Sequence, residues 1–131
     1  MISLVLFLLN TCHSAKPQKE VELNHPFQLK FNEAAYLKSG KLAVHFHSVI
    51  QDSRCPKSVQ CITAGNATID LELGDSEENA NHVKLGTDQE ASETTYQTYK
   101  MKLIEINPYP DSPGHIEPTQ YEATLLITQS D

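Results

Sequence analysis

Short segments in which apolar and polar residues alternate recur along this chain, and they restrict its fold more than any other feature. The clearest covers residues 67–73, where four apolar residues alternate with Thr68, Asp70 and Glu72. A period of two places the apolar side chains on one face of a β-strand and the polar ones on the other. The other predicted strands are residues 27–31, 35–37, 42–50, 82–85, 94–98, 99–106 and 121–128.

Clusters of Gly, Pro, Asn and Asp separate these segments. No segment shows a helical apolar period over more than two turns, although residues 88–95 fit a single helical turn. Within residues 99–106 the alternation slips before Ile104. Many short strands divided by turn signals are typical of all-β domains. The sequence therefore predicts an antiparallel sandwich or barrel of about seven to eight strands.

The first residues predict export. Residues 2–9 are apolar apart from Ser3. This apolar segment is far shorter than the roughly 18–20 residues that span a bilayer, but its length matches the apolar region of a signal peptide. We therefore predict a signal peptide at residues 1–15. The segment from Leu9 to Cys12 resembles a bacterial lipobox, which makes Cys12 the predicted lipidation site. Cleavage after Ser14 or Ala15 is the alternative.

This processing predicts a cell-envelope lipoprotein or a periplasmic or secreted protein, attached to a membrane only through an N-terminal lipid. Residues 16–25 are polar and are predicted to be a spacer. Residues 26–131 form the single predicted β-domain, as expected for a chain of 131 residues.

Two of the three cysteines, Cys55 and Cys61, lie close together in a segment rich in turn-forming residues. In an exported protein such a pair predicts a disulfide. The alternative is a metal site, which is disfavoured because the chain has no CxxC spacing and no second pair.

The charge balance excludes one class of partner. The chain has 17 Asp and Glu against 10 Lys and Arg, a formal net charge of −7. Nucleic-acid binding needs a basic face that neutralises phosphates. We therefore expect no nucleic-acid partner and no polybasic attachment to anionic lipid.

Residues 52–67 read DSRCPKSVQCITAGNA. This segment resembles a motif of bacterial secreted proteins and lipoproteins of uncharacterised function, in which DSRCP is followed by a second Cys and then AG-x-A. Thr63 stands where that family often has Trp. The resemblance covers most of residues 27–128 and implies an exported β-domain, but no activity.

Within this motif Asp52, Arg54 and Pro56 are candidate residues of a rigid recognition loop for an envelope or extracellular protein. The same residues also fit a purely structural loop. Asp and Ser side chains cap turn amides, Arg binds carboxylates or carbonyls, and Gly65 indicates a bulge or a close backbone approach.

His45 and His47 are two residues apart in a predicted strand, so their rings leave the same face. This spacing can contribute two ligands to a copper or zinc site. A third ligand would come from His25, His82, His115 or a carboxylate on a neighbouring strand. The alternative is a pair of solvent-facing histidines.

No sequence motif of a hydrolase, zinc protease, nucleotide-binding loop or dinucleotide-binding site occurs. We therefore predict no enzymatic activity and no cofactor. The predicted function is binding or envelope structure. The alternatives are a small secreted proteinase inhibitor, with candidate loops at residues 51–60 and 108–118, and a periplasmic metal-binding protein that uses His45 and His47.

Overall fold

The computed structural model describes residues 18–38, 41–75 and 80–130, which form two packed β-sheets. The strands in these ranges are β1 (Lys19–Val21), β2 (Phe27–Lys30), β3 (Ala34–Leu37), β4 (Ala43–Asp52), β5 (Ala67–Gly74), β6 (Asn81–Gly86), β7 (Glu93–Tyr96), β8 (Tyr99–Asn107) and β9 (Glu122–Gln129). The only helical elements there are short 3-10 turns at Gln89–Ala91 and Pro118–Gln120. The predicted all-β fold is confirmed.

The two sheets form a sandwich and not a closed barrel. Sheet A has the strand order β1-β3-β4-β5-β6, and sheet B has the order β2-β9-β8-β7. Every pair is antiparallel except β1 with β3, which is parallel. Within the described ranges there are nine strands, one more than the upper predicted number.

The apolar faces of the two sheets meet in one core. In β5, Ile69, Leu71 and Leu73 are fully buried, and Phe46 of β4 lies beside them. Sheet B contributes Leu29, Met101, Leu103, Leu125 and Ile127. Full burial of a side chain of this size stabilises the fold by about 1.5–3 kcal/mol. In β5, the residues that the sequence alternation predicts to point inward are the buried ones.

The prediction of a polar spacer at residues 16–25 is wrong for Lys19–Val21. These residues form β1, which pairs with β3, and Val21 is buried in the core. Lys19 Nζ also lies 2.9 Å from Glu33 Oε1. A strand of three residues with one apolar side chain has no alternation that a sequence pattern can reveal. Its position is set by the partner strand and by the burial of Val21.

The predicted slip in residues 99–106 is a β-bulge. The pairing of β8 with β9 shifts register between Leu103 and Glu105. As a result Ile104 is 46% exposed, whereas Ile106 is 3% exposed and joins the core. One extra residue on one strand of a pair is what a bulge requires.

Within the described ranges, no helix is long and apolar enough to cross a membrane. The signal peptide predicted at residues 1–15 and the lipidation site predicted at Cys12 lie outside the described residues.

Candidate functional site

The outer face of sheet A has a row of three polar residues at its centre. His45 of β4 pairs with Glu72 of β5, and Glu72 pairs in turn with His82 of β6. The side chains face outward because their neighbours Val44, Phe46, Leu71 and Leu73 are buried. Antiparallel register therefore brings two histidines to either side of one carboxylate.

A bulge in β4 brings His47 into the same cluster. Phe46 pairs with Leu71 and Ser48 pairs with Asp70, so His47 is the extra residue between the two pairs. Its Nδ1 lies 2.8 Å from Glu72 Oε1. Its ring centroid lies 6.1 Å from that of His45 and 5.2 Å from that of His82. His47 is therefore the central ring of three.

Glu72 is the carboxylate that all three histidines approach. Besides the contact with His47, His45 Nδ1 lies 3.6 Å from Glu72 Oε2, and His82 Nε2 lies 3.9 Å from Glu72 Oε1. The Glu72 side chain is 21% exposed, so the carboxylate is only partly shielded from water. Its two oxygens give the cluster a negative charge next to three imidazole nitrogens.

Asn32 fixes which nitrogen of His45 faces the cluster. Asn32 precedes β3 and has a φ of +66°, in the left-handed region. His45 Nε2 lies 3.2 Å from the Asn32 main-chain oxygen and 2.8 Å from its Oδ1. A main-chain oxygen only accepts, so Nε2 carries the hydrogen and donates it. In the neutral ring, Nδ1 then presents a lone pair towards Glu72.

Asp70 fixes His82 in the same way. Asp70 Oδ2 lies 2.9 Å from His82 Nδ1. An ionised carboxylate accepts and does not donate, so Nδ1 carries the hydrogen and the lone pair of the neutral ring lies on Nε2. That nitrogen is the one near Glu72. The other oxygen, Asp70 Oδ1, is buried and has no hydrogen-bond partner among the described residues.

The donor set fits a borderline transition-metal ion. The ligand atoms of His45, His47 and Glu72 lie within 4.8 Å of one another, and so do those of His47, Asp70 and His82. Imidazole nitrogen and carboxylate oxygen are the ligands of Zn²⁺ and Cu²⁺. The predicted pair His45 and His47 therefore has close partners on neighbouring strands.

The other histidines named as candidate third ligands lie elsewhere. His25 lies 3.9 Å from Glu22 on an exposed surface, and His115 lies in the loop between β8 and β9. The sequence supplied the two histidines of β4 and named His82, or a carboxylate on a neighbouring strand, as a candidate third ligand. It could not supply Asn32, Asp70 and Glu72 by number, because their contacts depend on the register between strands.

The motif loop between β4 and β5 is a second candidate site. Its disulfide joins Cys55 and Cys61, as predicted, with their Cα atoms 5.9 Å apart. Gly65 has a φ of +67°, and a Cβ built there would lie 1.8 Å from the Ser53 main-chain oxygen. The close backbone approach predicted at Gly65 is therefore present.

Arg54 faces the inside of this loop. Its guanidinium donates to both oxygens of Asp52 at 2.8 Å and to the main-chain oxygens of Ile106 and Pro108. The Arg54 side chain is 6% exposed and that of Asp52 is 11% exposed. The Arg54 side chain is therefore buried, and its donors brace the predicted recognition loop from within the chain. Pro56 is half-buried on the same loop.

Tyr121 completes this buried network by donating from Oη to Asp52 Oδ2 at 2.9 Å. Burial raises the pKa of Asp52, but hydrogen bonds from Arg54 and Tyr121 outweigh it and lower the pKa below its usual value. Burial and the bond to Asp52 raise the pKa of Tyr121 to about 12. The network ties the loop to β8 and to the start of β9.

A scan against protein-family models matched none of them, and no curated protein and no solved structure matched the chain either.

Proposed function

We propose that this protein is an exported β-sandwich domain that binds one divalent transition-metal ion on the outer face of sheet A. The first three ligands are His45 through Nδ1, His47 and the Glu72 carboxylate, whose ligand atoms lie within 4.8 Å of one another. His82 is the fourth ligand through Nε2, which lies 3.9 Å from Glu72 Oε1. The observation that carries the proposal is the convergence of three imidazoles on this one partly buried carboxylate.

The hydrogen bonds of the ring nitrogens that face away from Glu72 favour a metal site over a set of unrelated surface histidines. Metal-binding histidines donate their second ring N–H to a carboxylate or a main-chain oxygen, which fixes the ring and its tautomer. His45 has this bond with Asn32, and His82 has it with Asp70. Both rings are thereby held with a lone pair towards Glu72.

His47 explains how binding would couple to protons. Its Nδ1 lies 2.8 Å from Glu72 Oε1. A metal ion needs an unprotonated imidazole nitrogen and an ionised carboxylate, so it competes with protons for both groups. Binding should therefore release protons and weaken as the pH falls.

Calorimetric titration of metal-free protein with Zn²⁺ and with Cu²⁺ tests the site. We expect one ion per chain, and a loss of affinity on the order of 100-fold or more in His47→Ala. Asn32→Ala, which removes only the side-chain acceptor for His45, should weaken binding by about 10-fold.

The matched control is His25→Ala, because His25 is exposed and lies outside the cluster. Thermal unfolding in the presence of a chelator should be the same for wild type, His47→Ala and His25→Ala, because these side chains are at least partly exposed. Asn32→Ala should unfold at a slightly lower temperature, because Ala tolerates a φ of +66° less well than Asn does. Equal affinity of wild type and His47→Ala would rule out the site.

Export through residues 1–15 and lipidation at Cys12 belong to the same proposal. A disulfide at Cys55–Cys61 supports an oxidising compartment, because disulfides are rare in the cytosol. Mass spectrometry of the mature N-terminus tests this part. A diacylglyceryl-modified Cys12 would support a lipid anchor, whereas an unmodified start at Ala15 or Lys16 would contradict it.

A further inference from the structure

The peptide bond between Ile62 and Thr63 lies in a segment whose two flanks are fixed to the same residue. On one side Cys61 forms the disulfide with Cys55. On the other side the main-chain oxygen of Ala64 accepts from Cys55 N at 2.8 Å. Only Ile62 and Thr63 lie between the two attachments.

Cys55 is itself held firmly by the loop between β8 and β9. Its main-chain oxygen accepts from Tyr109 Oη at 2.7 Å. The Arg54 guanidinium, fixed by Asp52, lies 5.1 Å from the centroid of the Tyr109 ring. Lys57 N donates to Pro110 O at 3.1 Å, which joins the two loops a second time. The segment is therefore ordered before any partner binds.

The segment nevertheless projects into solvent. Residues 57–64 are all exposed, and Ile62 is fully exposed, with a relative accessibility of 105%. Among the described residues, no main-chain hydrogen bond involves Gln60, Cys61, Ile62 or Thr63. One exposed isoleucine is ordinary on a protein surface. Here it lies on a braced segment with free main-chain donors and acceptors.

These features together fit a partner that binds an exposed chain through main-chain hydrogen bonds and takes one side chain into a pocket. Serine endopeptidases bind substrates in this way, and the shape of their primary pocket sets which side chain they accept. We propose that residues 60–64 form a substrate-like inhibitory loop for a serine endopeptidase whose pocket accepts a branched aliphatic side chain, with Ile62 in that pocket.

The bracing explains why the loop would inhibit and not simply be digested. Attack of the enzyme's serine hydroxyl on the Ile62 carbonyl forms an ester and releases the Thr63 amine, which takes up the hydroxyl proton through the enzyme's histidine. Ala64 stays bonded to Cys55, so the amine remains beside the ester. Its attack on the ester re-forms the peptide bond and returns the proton to serine.

Because the segment is ordered before binding, few bond rotations are lost in the complex, which lowers the entropic cost of binding.

The proposed inhibitory segment is residues 60–64, whereas the sequence analysis named residues 51–60. The other candidate loop, residues 108–118, acts as the support through Tyr109 and Pro110.

Inhibition assays with purified protein against pancreatic elastase, neutrophil elastase, chymotrypsin and trypsin test this proposal. We expect the wild type to inhibit at least one elastase and not to inhibit trypsin. Ile62→Asp should weaken elastase inhibition on the order of 100-fold, as expected for a side chain at the centre of an interface. Ile62→Arg should transfer inhibition to trypsin, whose pocket accepts a basic side chain.

The double variant Cys55→Ser/Cys61→Ser tests the role of the bracing. Without the disulfide, the elastase should cut the chain after Ile62 and release it, which mass spectrometry detects. Gln97→Ala, at a turn between β7 and β8, is the control and should inhibit like the wild type. The proposal is overturned if no elastase is inhibited, or if a folded Ile62→Arg variant, with unchanged thermal unfolding, leaves trypsin fully active.

Discussion

The buried pair of Asp52 and Arg54 gives the sharpest prediction about stability. We expect Asp52→Ala to lower the free energy of unfolding by about 3–5 kcal/mol, the range found when one partner of a buried ion pair is removed. The reason is that the Arg54 guanidinium stays in place with its side chain 6% exposed, but loses its counter-charge. Tyr121 loses its acceptor at the same time.

The contacts lead to a value of this size. Asp52 accepts two bonds from the Arg54 guanidinium at 2.8 Å and one from Tyr121 at 2.9 Å. Each hydrogen bond to a charged group contributes about 1.5–3 kcal/mol, and the truncation also removes the cost of burying the carboxylate, so the net loss is smaller than the sum. Main-chain acceptors at Ile106 and Pro108 continue to satisfy two guanidinium donors.

Urea and thermal unfolding with the disulfide intact measure the effect. At about 4 °C per kcal/mol for a domain of this size, the Tm should fall by at least about 12 °C. The control is Asp111→Ala, which removes an exposed carboxylate that lies 3.9 Å from Lys57. Surface pairs contribute about 0–1 kcal/mol, so the control should unfold almost like the wild type.

Two further measurements separate charge from packing. Since the folded pKa of Asp52 lies below its unfolded value of about 3.9, its contribution is complete above that value and is lost as the pH falls through the folded pKa. The difference in the free energy of unfolding between wild type and Asp52→Ala should therefore decrease as the pH falls. Asp52→Ala/Arg54→Met should be more stable than Asp52→Ala alone, because no unpaired charge remains buried.

An equal decrease in the free energy of unfolding for Asp52→Ala and Asp111→Ala would refute this reasoning. A gap that stays constant from neutral pH to about pH 2, far below the unfolded pKa of the carboxyl, would also refute it, because a constant gap indicates lost packing and not lost charge.

Three more predictions concern single positions. Gly65→Ala should lower the free energy of unfolding by more than about 2 kcal/mol, because φ is positive and the new Cβ would lie 1.8 Å from a main-chain oxygen. Gly86→Ala, measured by the same urea titration, should lower it by less. Ile106→Ala should cost about 2–5 kcal/mol and Ile104→Ala less than about 1 kcal/mol, because the bulge buries only the former; similar losses would place the bulge elsewhere. Because the folded pKa of Tyr121 is about 12, stability should fall as the pH rises from about 10 through that value, and Tyr121→Phe should lack this part of the alkaline loss.

Most of the fold follows from local alternation, because burial of one face is decided residue by residue along each strand. Residues 67–73 show this most clearly, since all four predicted inward residues are fully buried in β5. The same logic fails for Lys19–Val21, where one apolar residue decides the outcome and the partner strand β3 supplies the rest. It also fails to choose between a sandwich and a barrel, because closure depends on which strands stay unpaired at the edges.

Only the histidines of the candidate metal site could be predicted from the sequence, and their contacts with residues of β5 could not. The spacing of His45 and His47 places both rings on one face, and that part was readable from the sequence. Asp70 and Glu72 alternate outward in β5, yet nothing in the chain order indicates that β5 pairs with β4 in a register that opposes Glu72 to His45. Strand register, including the shift between Phe46 and Ser48, sets this contact.

The bulge at His47 places a third imidazole beside the row formed by His45, Glu72 and His82, which makes this row a candidate site. In regular pairing after Phe46 and Leu71, His47 would lie directly opposite Asp70. Instead Ser48 opposes Asp70, and His47 lies between the two carboxylates of β5. From there its Nδ1 reaches Glu72, and its ring contacts that of His82 two strands away. Bulges re-aim side chains next to functional sites in many sheets. A bulge disrupts the pairing of its own strand, and this one lies at the central histidine, which supports the proposed metal site.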